Sequence, residues 1–114
     1  MINTIEQLVP DKPERLPIPV RRALAKLGSD IRTARLRRRI PVAVMAQRAL
    51  VGRITLSKLE RGDPNVAMGT YATVLFILGM SERLAEVADI RFDELGMSLD
   101  EERLPQRIRT RKVT

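Results

Sequence analysis

Arg53, Ile54, Thr55, Ser57 and Lys58 fall within six residues of one another, interrupted by Leu56 and followed by Leu59. If this stretch is helical, period 3.6 turns Leu56 and Leu59 to one side and leaves the other five facing outward. A guanidinium, an ammonium and two hydroxyls then share one face, a set of groups suited to the edges of nucleic-acid bases. Arg53 stands at the N-terminal end of the stretch, where its planar fork can reach a guanine edge with two parallel hydrogen bonds. A second group, Arg37, Arg38, Arg39 and Arg61, together with the backbone amide of Val42 at a helix start, is suited to gripping phosphates. The alternative for the triple arginine is a solvated helix end, since cations near a helix C-terminus are mildly stabilising.

Positioning these groups requires the stretch from Ile40 to Gly62. Val42, Met45, Ala46 and Ala49 predict a short helix with one apolar face, Leu50-Val51-Gly52 breaks it, and Leu56, Leu59 and Glu60 mark a second short helix. Gly52 is the residue best able to take the unusual dihedrals of a tight turn. Val51, Leu56 and Leu59 hold the second helix against the body. Two short helices across such a turn, with cations on the second, describe a helix-turn-helix whose second helix fits the DNA major groove.

Ala46 stands where such units carry a small residue, Val51 where they carry a turn hydrophobe, and Leu56-Ser57-Lys58-Leu59-Glu60-Arg61-Gly62 follows the pattern I-S-x-L-E-x-G. Upstream, Leu27-Gly28, Ile31-Arg32 and Arg35 follow L-G-x-x-I-R-x-x-R. Over residues 24–79 the chain resembles the Xre/Cro/C1 family of DNA-binding regulators. The resemblance implies a partly buried ion pair between Arg35 and Glu60 near the DNA backbone, in place of two independent surface charges. Glu60 is one of two acids between residues 18 and 62, which suits a structural role. Three departures stand out. Pro41-Val42 replaces the family's Thr-Gln, removing a side-chain cap and a phosphate-touching Gln. Leu50 occupies the family's turn glycine, where a left-handed conformation costs about 1–2 kcal/mol; either that strain is tolerated or Gly52 carries the turn one register later. Gly52 in turn replaces a capping hydroxyl, at a cost of roughly a few tenths of a kcal/mol.

The segments Arg61-Gly62-Asp63-Pro64-Asn65-Val66, Gly69-Thr70-Tyr71, Leu78-Gly79-Met80 and Arg83-Leu84-Ala85 are similar to HipB-like regulators encoded beside HipA-family serine/threonine kinase toxins. That likeness implies a dimer that binds operator DNA, represses its own operon, and in many systems restrains the kinase.

Composition bounds the remaining classes. At 114 residues the chain has room for one domain with a real core. It has no cysteine and no histidine, which removes thiol chemistry, disulfides, the usual zinc sites and His-based catalysis. No cofactor is expected. Asp93-Glu94 and Asp100-Glu101-Glu102 are carboxylate clusters without a pocket pattern around them, and a solvated acidic face accounts for them, so an enzyme is not expected. The chain has three aromatic residues, Tyr71, Phe76 and Phe92, too few for an RNA stacking surface. No apolar run approaches the ~20 residues that span a membrane, and the N-terminus lacks a signal peptide's basic start and apolar middle. A soluble, cytoplasmic protein is expected.

The formal net charge of +7 is distributed unevenly. Residues 18–62 carry twelve bases against two acids, whereas residues 63–103 carry three bases against nine acids. Arginines number 17 and lysines 4, favouring phosphate and guanine edges over diffuse attraction.

The expected organisation is all-α: a five-helix lambda-repressor-like DNA-binding domain with a short helical C-terminal extension and flexible termini. Residues 1–17 read as an arm, 18–80 as the helix-turn-helix domain, 81–103 as the extension and 104–114 as a basic tail. Val20, Ala23, Leu24, Leu27, Ile31 and Ala34 predict a first long helix from Pro19 to Arg38, with Gly28 as its one flaw. Asp63-Pro64-Asn65 predicts a loop. A helix from Met68 to Leu78 should end at Gly79, with Tyr71, Ala72, Val74, Leu75 and Leu78 inward. Phe76, Ile77 and Met80 are then expected to form the contact with a second copy, burial under the C-terminal segment being the alternative for Phe76. Ser81 predicts a helix to Ala88 with Leu84 and Val87 inward, and Ser98-Leu99-Asp100-Glu101 has capping-box spacing for a last turn over 99–103.

Two readings from different classes follow. One is a sequence-specific repressor working on double-stranded operator DNA as a homodimer. The other is a protein-interaction antitoxin that binds a HipA-like kinase through its acidic half or its tails, with DNA binding secondary.

Overall fold

A computed structural model describes residues 15–100. The arm up to residue 14, residues 101–103 of the expected last turn, and the basic tail lie outside the described residues. Within them the protein is helical and no strand forms. The helices are α1 (Ile18–Arg37), α2 (Val42–Arg48), α3 (Arg53–Glu60), α4 (Met68–Ile77), α5 (Ser81–Ala85) and α6 (Glu94–Asp100), with a 3-10 turn at Ile90–Phe92. Residues 15–81 and 82–100 belong to two compact units.

In the first unit, α1 packs on α3 and α3 on α2. Ile31, Met45, Leu56, Leu59 and Val74 are the largest side chains sealed from solvent, with Ala34, Ala46, Ala49, Tyr71 and Leu78 filling between them. Val20 and Ala23, expected to extend the apolar stripe of α1, are exposed; burial becomes complete only from Gly28 onward. Gly28 is no flaw. A methyl group there would come within 2.6 Å of the Leu59 carbonyl and 2.8 Å of the Glu60 backbone carbon, so its absence lets α1 rest directly on the end of α3. The same crossing involves Gly62, which has φ +78° and would otherwise collide with Leu24.

All four helices of this unit end alike. In each, the residue after the C-cap takes a positive φ, and two N–H groups fold back on the last carbonyls in a Schellman motif. At α1 these are Arg39 N–H to Leu36 O (2.9 Å) and Ile40 N–H to Arg35 O (3.2 Å). At α2, Leu50 N–H bonds Gln47 O (3.1 Å) and Val51 N–H bonds Ala46 O (3.0 Å). Gly62 and Gly79 do the same for α3 and α4. Of the two turn registers open from sequence, the one through Leu50 is adopted: Leu50 has φ +60°, while Gly52 sits at φ −77° as the uncapped N-cap of α3.

In the second unit, α5 is shorter than expected. It ends at Ala85, its chain continues as turns, and Val87 is therefore exposed instead of inward. α6 begins at Glu94, well before Ser98, because the Asp93 carboxylate accepts the Gly96 N–H (2.9 Å) and starts the helix there. Ser98 thus lies inside a helix, not at its cap. Asp89 caps the 3-10 turn; the side chain and N–H of Arg91 both donate to it and hold its carboxyl below the usual carboxylate range. No residue of 82–100 is buried.

Candidate nucleic-acid interface

Leu56 and Leu59 are completely shielded from solvent, which fixes the rotation of α3 about its own axis. The opposite face then carries Arg53, Ile54, Ser57 and Lys58, all exposed, with Ile54 at 73%. Thr55, expected on that face, is half-buried, because it lies one turn before Leu59 on the flank of the packed side. Ser57 Oγ accepts a hydrogen bond from Arg61 Nη1 (2.9 Å), so Arg61 lies along the end of the same face.

Beneath that face runs one buried ion pair. Arg35 Nε donates to Glu60 Oε2 (2.7 Å) and Nη2 to Oε1 (3.1 Å), a bidentate fork whose side chains are 6% and 7% exposed. Arg35 Nη1 also donates to the Ile40 carbonyl (2.9 Å). One guanidinium therefore joins α1, the turn that follows it, and the last residue of α3. The hydrogen bond to Glu60 outweighs the effect of burial and raises the Arg35 pKa further above its ordinary value.

The arginines assigned to phosphates divide by environment. Arg37 and Arg39 are exposed at the end of α1, and Arg39 holds the left-handed position of the turn at φ +55°. Arg38 is engaged within the fold: Nη1 donates to Ala34 O (2.8 Å) and Nη2 to Leu78 O (3.2 Å), satisfying carbonyls at the ends of both α1 and α4. Its neighbours in a run of like residues gave no sign of that role. Val42 opens α2 behind Pro41, which supplies no side-chain cap. The Val42 N–H has no acceptor among the described residues.

A cleft of about 380 Å³ opens where α1, α2 and α3 meet, lined by Arg32, Arg35, Val42, Arg53, Ile54 and Ser57 among others. In the sequence Arg32 stands out only within the L-G-x-x-I-R-x-x-R pattern. Its spacing of three from Arg35 was the available signal, since residues three apart lie on one side of a helix.

Of the side chains set aside for a second copy, Phe76 is 68% exposed, whereas Ile77 and Met80 are half-buried. Ile77 lies one turn from the sealed Val74, and the Met80 N–H closes the α4 turn on Leu75 O (2.8 Å). Among the described residues no helix is long and apolar enough to cross a membrane. Comparison with protein-family models, with curated proteins and with solved structures gives no match to this chain.

Proposed function

We propose that the protein is a sequence-specific DNA-binding repressor with a lambda-repressor-like helix-turn-helix, acting as a homodimer and controlling its own toxin-antitoxin operon in the manner of HipB-like regulators. The observation that carries this reading is the build of α3. Its apolar side is sealed into the core and its end is locked by Arg35 and Glu60, while its free side presents Arg53, Ile54, Ser57 and Lys58 to solvent. A helix held this rigidly with a polar face open to solvent is what major-groove reading requires. The twelve bases of residues 18–62 supply the attraction for the backbone, with Arg37, Arg39 and Arg61 exposed to meet it. Footprinting on the DNA upstream of its own gene tests the reading. Protection should appear at two half-sites about one helical turn apart, and Lys58→Ala should weaken it. A wild-type protein that protects nothing, or a variant that protects as well as wild type, would count against α3 as the reading helix.

The second unit favours an additional reading, in which the chain also binds a protein such as a HipA-like kinase. Val87, Ile90, Phe92, Leu95, Met97 and Leu99 are all exposed there, among six acids and two bases. Exposed apolar groups at that density mark an interaction surface. Co-expression with a kinase encoded beside the gene should yield a complex, lost when Phe92 and Leu95 become Ser and retained in Lys58→Ala.

A further inference from the structure

The cleft between α1, α2 and α3 carries unbalanced positive charge. Arg32 enters it from α1, Arg53 and Ser57 enter from α3, and Val42 and Ile54 form its apolar edge. Its one carboxylate, Glu60, is already committed, both oxygens accepting from Arg35. Arg32 and Arg53 have no ion pair with any described residue. Two guanidinium groups on one small opening repel each other, and that repulsion turns to attraction when an anion sits between them. A phosphate offers several strong acceptor oxygens to two planar forks. The Ser57 hydroxyl, whose oxygen already accepts from Arg61, retains its own proton to donate.

We propose that Arg32 and Arg53 together clamp a single phosphate of the DNA backbone. The clamp rests on the DNA-binding reading and refines it. Arg53 holds the backbone in place of a guanine edge, which leaves base contacts to the exposed Ile54 and Lys58. It also gives Arg32 a role in the interface that its place in the α1 pattern did not reveal. Sharing one phosphate makes the two arginines non-additive, and this separates the clamp from two independent contacts.

The experiment is fluorescence anisotropy of the full chain with two labelled duplexes, one from upstream of its gene and one of scrambled sequence, over a range of salt. Arg32→Ala and Arg53→Ala should each weaken both duplexes by a similar factor and lower the log–log salt slope by about one unit. The double variant should also lose about one unit, because only one phosphate is released. Both side chains are exposed, so thermal melts should match wild type. Replacing chloride by inorganic phosphate at constant ionic strength should have only the effect of a competing salt. Arg32→Ala at wild-type affinity and slope overturns the clamp while leaving the DNA reading intact. So does a double variant that loses two units, or an Arg53→Ala variant that changes sequence preference without changing the slope. A specific collapse of binding in phosphate, absent from Arg32→Ala, would reassign the cleft to the free ion and overturn the backbone clamp. Wild type that binds neither duplex overturns the DNA reading and the clamp together.

Discussion

Arg35 makes three hydrogen bonds to partners on two sides of it, and Glu60 commits both oxygens to Arg35. A buried pair of this kind contributes little compared with an apolar replacement of the same shape, but losing one partner leaves a charge stranded. Arg35→Ala and Glu60→Ala should each destabilise by about 3–5 kcal/mol. Denaturant melts of the two single variants and the double variant should show strong coupling; additive losses would mean the pair is not a unit. Tyr71 offers a second check at this scale. Burial, and secondarily the charge of Asp63, raise its pKa above the ordinary value, and its hydroxyl donates to the Asp63 carbonyl (2.8 Å). A group whose folded pKa is raised contributes stability that is complete below its unfolded pKa of about 10 and is lost as pH rises through the folded value. The chain has one tyrosine and no tryptophan, so the phenolate absorbance band reports Tyr71 alone. Its midpoint in the folded protein should lie above 10, with the melting temperature falling over the same window. A midpoint at the free-tyrosine value would show that the ring is not buried as described.

The four helices of the first unit close through the same turn, but only two of them place glycine at its left-handed position. Leu50 is 90% exposed, so its side chain returns little packing for the strain it imposes. Leu50→Gly should therefore stabilise the protein, by up to ~1 kcal/mol after the entropy of glycine in the unfolded chain is subtracted. Gly28→Ala should do the opposite despite the better helix propensity of alanine, because the added methyl meets backbone that cannot yield. Thermal melts decide both signs, and a stabilised Gly28→Ala would contradict the close crossing of α1 and α3. These two positions also show what was legible in the sequence. The period of apolar residues between 24 and 78 placed α1 to α4 to within a residue or two, since burial of one face dictates that period. By propensity Gly28 is only a weak point in α1, because the packing reason for this glycine lies in another helix. Ser98 heads a complete capping-box pattern that points to a later start, while a lone Asp before a helix containing Gly96 carries no such signature. Arg38 and Arg32 are of the same type as their neighbours, and only the three-dimensional packing shows that Arg38 caps carbonyls while Arg32 lines the cleft.

At the scale of the whole molecule, the proposed DNA reading has one short helix contacting only a few base pairs, so selecting one operator would require two copies, with half-sites about 34–36 Å apart. The contact between copies has to avoid residues 18–62, where twelve bases against two acids on each chain would repel. α4 meets that condition, for Met68–Ile77 contains no charged residue. Its exposed large apolar side chains are Met68, at 74% in the first turn, and Phe76, at 68% on the side opposite the sealed Val74. Ile77 and Met80 are half-buried in the same protomer, so they can contribute only an edge of any such contact, and Phe76 is the residue to change. Phe76→Ser should give a folded protein that still melts cooperatively, with a monomeric mass by light scattering and much weaker operator binding. Val74→Ser is the contrasting variant: it places a hydroxyl in the core and should lower stability by about 1–3 kcal/mol, whatever the state of association. A wild type that stays monomeric even on operator DNA, or a Phe76→Ser variant that stays dimeric, would remove α4 as the meeting face of the two copies.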